Sequence, residues 1–197
     1  MELHAPADAT EPPEVFERNM AVGARIWAAA VAFFFVAFLF AFFYLRALDS
    51  NGKWNQHDLS PGQGWGLPIL LCVLASVVVY AIAVSSLPRG EGFWRLGSGA
   101  GLGLGIVALV LQAVQYTQLS FGPGDGGFAS VFYGWTGLYA VFVLGMMYWI
   151  ETQVAQSIRE GDDALPLIRP SAEAARLNWA VLGGIGLVAY ILLYLVR

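Results

Sequence analysis

Residues 26–45 read Ile-Trp-Ala-Ala-Ala-Val-Ala-Phe-Phe-Phe-Val-Ala-Phe-Leu-Phe-Ala-Phe-Phe-Tyr-Leu, with no Asp, Glu, Lys, Arg or His among them. A helix of about 20 residues rises about 30 Å, the hydrocarbon thickness of a bilayer. Four further runs share this character: Gly66–Ser86, Gly97–Leu119, Phe128–Ile150 and Asn178–Val196. Each is continuous and apolar, without the period-2 alternation of a barrel strand, so backbone hydrogen bonding in lipid requires helices. The reading is an all-α membrane protein of five transmembrane helices. Ionisable groups within a span mark ion paths, proton relays or metal sites, and these runs have none.

Composition agrees. Of 197 residues, 58% are hydrophobic and only 12% charged, about half the charged share of a soluble domain. A net charge of −4 gives no purchase for nucleic acid. Residues 1–25 form a polar segment carrying His4, Asp8, Glu11, Glu14 and Glu17. It lacks the basic start, short apolar core and small-residue site of a cleavable signal, so the first span is expected to serve as an uncleaved anchor. The chain divides into this segment and a bundle over 26–197.

Orientation follows from basic residues, which concentrate on the cytoplasmic side. Arg18, Arg25, Arg89, Arg95, Arg159, Arg169 and Arg176 fall at one end, and Arg46, Lys53 and Arg197 at the other. This predicts a cytoplasmic N-terminus and an external C-terminus. Pro61, Pro88, Pro123, Pro166 and Pro170 fall in or beside the expected links, including a long one over Thr152–Leu177, while Pro68 is placed in the first turn of the second span.

Metal and redox chemistry have few candidate ligands. His4 and His57 lie in polar segments, Cys72 is a lone thiol expected to pack in the second span, and Met146 and Met147 point to different faces of the fourth. No cofactor bound by this chain alone is expected. Glu151 closes the fourth span and reads as a solvated or arginine-paired end residue in preference to a proton carrier.

Two polar or small-residue patterns remain. Gly97, Gly101 and Gly105 recur every four residues, as do Gly99 and Gly103. Small residues so spaced let helices approach closely; a phosphate-binding loop would need a following Lys-Ser/Thr. At the other end of the same span, Gln112, Gln115 and Tyr116 can share a face and need internal partners in lipid. They suit glue between helices or subunits, or contact with a polar ligand such as a quinone head.

Several segments, in order, resemble subunit III of the haem-copper oxidases in its short five-helix form, known from actinobacterial cytochrome c oxidases. Phe34-Phe35 through Phe43-Tyr44-Leu45-Arg46, followed by Trp54, resembles that family's aromatic run ending in Tyr-Leu-Arg. Gln112-Ala-Val-Gln-Tyr116 is similar to its Gln-Ala-x-Glu-Tyr, and Ser130-Val-Phe-Tyr-Gly-Trp-Thr-Gly-Leu138 to its Phe-Tyr-x-x-Thr-Gly-Phe. The last span opens at Asn178-Trp179 and closes at Tyr194-Leu-Val-Arg197, as family members do. The resemblance covers Arg25 to Arg197. Where the family carries Glu, Glu, His and His, this chain has Val31, Gln115, Tyr139 and Phe142.

The resemblance implies a non-catalytic, lipid-binding structural subunit of a respiratory cytochrome c oxidase, multi-pass in a bacterial inner (plasma) membrane. Its expected partners are subunit I, subunit II and phospholipids, with haem and copper held by the partner subunits. Arg46, Gln112, Gln115, Tyr116, Tyr139 and Trp179 are the expected lipid or partner contacts, and Gly97, Gly101 and Gly105 the helix-packing residues. A subunit III-like accessory protein of a quinol oxidase or nitric oxide reductase, or a small transporter, is the alternative.

Overall fold

The computed structural model describes residues 13–49, 52–55, 59–87, 91–161 and 165–196. His4, Asp8, Glu11, His57, Pro88, Arg89 and Arg197 lie outside the described residues. Five helices follow in order: α1 (Pro13–Ala47), α2 (Gln63–Ser86), α3 (Glu91–Gln118), α4 (Gly127–Glu160) and α5 (Leu165–Tyr190), with α5 running into a π-helical end at Ile191–Val196. All five are long and apolar enough to cross a membrane.

The helices outrun the charge-free spans. α1 begins at Pro13, well before Ile26, and the expected link Thr152–Leu177 is mostly helix, since α4 continues to Glu160 and α5 starts at Leu165. Pro166 and Pro170 therefore lie inside α5, and Pro68 lies beyond the first turn of α2, which starts at Gln63 rather than Gly66. Proline lacks the N–H that would bond four residues back. At Pro68 the carbonyl left over belongs to exposed Gly64, near the end of the helix, where water can satisfy it.

α5 is the hub, packing against α1, α2 and α4, while α2 lies along α3 and α3 against α4. α4 shows why: Phe128, Phe132, Trp135, Tyr139, Val143, Met146 and Ile150 are all buried at three- and four-residue spacing. Its opposite face carries Val141, Leu144 and Tyr148, the last 70% exposed. On α1, Phe33 is 79% and Phe40 66% exposed. Such rings suit an acyl environment, not water.

The glycine frame of α3 separates into two faces. A Cβ on Gly97 would sit 2.7 Å from Ala83 Cβ, and one on Gly101 would sit 3.2 Å from Tyr80 Cβ. One on Gly105 would overlap the Met147 thioether. Gly99 and Gly103 have nothing within 4 Å. The first set thus lets α2 and α4 approach α3; the second set faces open space.

The start of α4 is capped from a distant loop. Gly127 N–H donates to Lys53 O at 3.2 Å and Phe128 N–H to Trp54 O at 2.8 Å, satisfying two of the orphan donors of a helix start. Gly126, at φ 132°, turns the chain here, and a Cβ on it would sit 3.0 Å from Lys53 O. Trp54 is pinned in turn: its N–H donates to Asp49 Oδ1 at 3.1 Å, and its ring meets Phe42 at 5.1 Å and Phe128 at 5.9 Å.

Candidate functional site

The polar end of α3 folds inward. Gln115 is fully buried; its Nε2 donates to Tyr194 Oη at 2.8 Å and to Pro61 O at 3.1 Å, and its Oε1 accepts from Tyr194 at 3.0 Å. Gln112 Nε2 donates to the same Oε1 at 3.0 Å. One amide thus ties α3 to the entry of α2 and to the π-helical end of α5. Arg46 reinforces that end from outside, donating from Nη1 to Val196 O at 3.1 Å with its guanidinium 6.0 Å from the Phe42 ring centre.

Tyr116 departs from the shared face. It is half-buried and turns to α4, where its hydroxyl lies 2.7 Å from Thr136 Oγ1. Since Thr136 donates to Phe132 O at 2.7 Å, Tyr116 is the donor of the first bond. Tyr139 Oη donates to Leu182 O at 2.9 Å, closing α4 on α5.

These groups surround a cavity of about 40 Å³ among α2 to α5, with Gln112, Thr136, Tyr139, Tyr190 and Tyr194 in its wall. A second space of about 10 Å³ shares Gln112 and Tyr139 with it. Trp135 Nε1, buried in the same wall, has no partner among the described residues. The space suits a few waters and is far below the roughly 300 Å³ at which small-molecule sites begin. The geometry thus favours glue between helices over a quinone-head pocket.

Trp179 sits apart from this cluster. It is fully buried and donates from Nε1 to Ser76 Oγ at 3.1 Å, and Ser76 donates to Gly101 O at 2.6 Å. This chain of bonds joins α5, α2 and α3 across the contact that Gly101 opens. A further cluster that the sequence reading did not anticipate lies toward the other end: Tyr80 Oη donates to Gln153 Oε1 at 2.6 Å, and Gln153 Nε2 and Trp149 Nε1 both meet Ser171 Oγ. The separations of 73 and 18 residues leave no local sequence signal for it.

Phe142 fills space among aromatic rings, 5.5 Å from Phe35, 5.8 Å from Phe34 and 6.1 Å from Trp27. Val31 is 4% exposed and belongs to the apolar core. Glu151 is exposed, and Cys72 is half-buried against the core as a free thiol. Among the described residues no group of three or more His, Cys, Asp or Glu is placed to hold a metal. The arrangement can hold helices together.

A family model for cytochrome c oxidase subunit III matches residues 11–195. The chain is 28% identical over 134 residues to cytochrome c oxidase subunit 3 of Neurospora crassa, covering 65% of this chain and 50% of that protein. It is 27% identical over 152 residues to that of Ornithorhynchus anatinus, covering 74% and 58%, and 27% identical over 136 residues to that of Mus musculus, covering 66% and 52%. The chain spans about half the length of the curated relatives it matches.

Proposed function

The chain belongs to the cytochrome c oxidase subunit III family, and from that we propose that it is a non-catalytic structural subunit of a respiratory terminal oxidase. The observation that carries this reading is the fate of the four positions where the family resemblance expects titratable groups. Val31 packs, Phe142 packs, Gln115 is spent on three hydrogen-bonded partners, and Tyr139 is spent on a helix carbonyl. A bundle so arranged supports a neighbour through its shape and its lipid-facing surface. On this reading subunit I and subunit II bear the haem and copper, phospholipids fill the gaps between chains, and the complex lies in a bacterial plasma membrane.

We further propose one bundle over 26–197 with a polar segment at 1–25, and the N-terminus cytoplasmic. Support comes from charge: Arg18, Arg25, Arg95, Arg159, Arg169 and Arg176 share one end of the bundle, against Arg46 and Lys53 at the other.

The test is purification of the tagged chain in mild detergent from its native membrane, with mass spectrometry and optical spectra. A stoichiometric haem-bearing partner whose spectrum comes with it is the expected result. A haem-free chain with no oxidase subunit attached overturns the reading, and a quinol-oxidising or nitric oxide-reducing partner redirects it.

A further inference from the structure

The cavity beside Gln115 carries hydrogen-bonding capacity that the helices leave unspent. Gln112 donates from Nε2 to Gln115 Oε1 at 3.0 Å, while its own Oε1 receives no donor among the described residues. Trp135 Nε1 is a donor without an acceptor there, on a residue only 1% exposed. The two stand on different helices, α3 and α4, and both line the same space of about 40 Å³. One lacks a donor and the other an acceptor. At this depth neither can turn to bulk solvent, and a polar group left unmet inside lipid is costly.

The space has a direction. Its lining on α2 runs from Gly66 to Val73, a rise of about 10 Å at 1.5 Å per residue. The Gly66 edge lies next to the entry of α2, where Gln115 binds Pro61 O and Tyr194. The second space, of about 10 Å³, continues from Gln112 and Tyr139 toward Ala108 and Val143. Gln112 therefore stands at the junction of the two.

The chemistry of the wall fixes the class of ligand. Neither space is lined by Asp, Glu, Lys, Arg or His among the described residues, so an ion would enter uncompensated. An apolar gas would fill the volume and leave Gln112 Oε1 and Trp135 Nε1 unmet. A ring-sized organic ligand is excluded by size, since such sites begin near roughly 300 Å³. Water needs only roughly 10–15 Å³ of space and two or more polar partners. It also accepts and donates at once, which is what this pair of atoms requires.

We propose that the cavity is an internal water site, in which one water accepts from Trp135 Nε1 and donates to Gln112 Oε1, joining α4 to α3. The volume leaves room for roughly two more waters in file toward the Gly66 edge. The contact between α3 and α4 at this level is thus completed by solvent and not by side chains alone. The inference does not rest on the oxidase reading.

The test is indole NMR of the full chain, with ¹⁵N-labelled tryptophan, in a mild detergent micelle, reading through-space transfer from the water resonance. The chain has seven tryptophans, and the indole signal missing from W135F is that of Trp135. Because this residue is 1% exposed, bulk solvent does not reach it, and a water cross-peak at its N–H is expected in the parent. Xenon, which enters dry apolar cavities, should leave the signal unmoved. Q112L removes the acceptor at similar volume and should lose the cross-peak, while G99A, facing open space on the same helix, should keep it. A parent without the cross-peak, as when the walls close and Trp135 meets Gln112 directly, overturns the site with no variant needed. So does a Trp135 signal that xenon shifts. A Q112L chain of unchanged helicity that keeps the full cross-peak overturns the bridge.

Discussion

Gln115 and Tyr194, 79 residues apart, hold each other in both directions: the amide nitrogen donates to the phenol at 2.8 Å, and the phenol donates to the amide oxygen at 3.0 Å. The pair closes α3 on the end of α5 inside a region where water is scarce and unmet polar groups are costly. Replacing Gln115 by Leu removes the bonds it makes with Tyr194, Gln112 and Pro61 O. We expect a loss of about 1–3 kcal/mol, read as a lower thermal midpoint in mild detergent, with Y194F losing less because it leaves the Gln115 bonds to Gln112 and Pro61 in place.

Restoring the family's carboxyl at this position gives a pH-dependent result. A protonated Glu at 115 can still accept from Gln112 and Tyr194 and donate once, losing one of the amide's two donated bonds, whereas its ionised form would be buried without a cation. An uncompensated charge inside the bundle is costly, so stability is fullest at low pH, where the carboxyl is neutral, and falls as pH rises. Q115E should therefore approach the parent's thermal midpoint near pH 4 and fall below it by pH 8. A midpoint gap that does not change with pH would count against the closed environment described for this residue.

The two glycine sets of α3 make a matched comparison. G101A would push a methyl to 3.2 Å from Tyr80 Cβ and 3.3 Å from Ser76 O, disturbing the Trp179–Ser76–Gly101 bonds. A cost of about 1–3 kcal/mol is expected from overpacking. G99A meets nothing within 4 Å and trades backbone freedom for helix propensity, so it should be neutral or slightly stabilising. Thermal unfolding of the two variants side by side measures the difference.

How much of this was legible in sequence depends on range. The five spans were readable because lipid excludes charge, and each span is one continuous run. Helix ends were not, since Glu14, Glu17 and Arg18 continue α1 above the membrane, where hydropathy carries no helix signal. The packing function of the glycines was readable from their four-residue spacing, but both sets share that spacing, and only the neighbours Ala83, Tyr80 and Met147 distinguish them. Gln112 and Gln115 declared a need for partners; Tyr194 and Pro61 could not be assigned from sequence, because nothing local marks a contact across 54 or 79 residues.

The loop that caps α4 should be as sensitive as the core. W54A removes a buried ring from Phe42 and Phe128 and loosens the backbone carbonyls that meet Gly127 and Phe128. A loss of about 3–5 kcal/mol follows from the deleted ring. G126A keeps the ring but forces a side chain into a positive-φ position beside Lys53 O, at about 1–3 kcal/mol. G124A, with nothing within 4 Å, should change the thermal midpoint little.

Tyr139 separates support from chemistry. Among the described residues its hydroxyl donates to Leu182 O alone, at 2.9 Å, a carbonyl inside α5 that the helix's own backbone also serves. Y139F therefore forfeits a single bond, about 0.5–1.5 kcal/mol, with the ring still filling the wall of the small cavity. If the chain acts by holding structure, the variant lowers the amount of subunit retained in the purified complex on heating. The haem spectrum and the turnover per assembled complex stay unchanged. A proton-handling role for this position predicts the reverse, with full retention and reduced turnover, so measuring subunit stoichiometry and oxygen consumption on the same preparation decides between them.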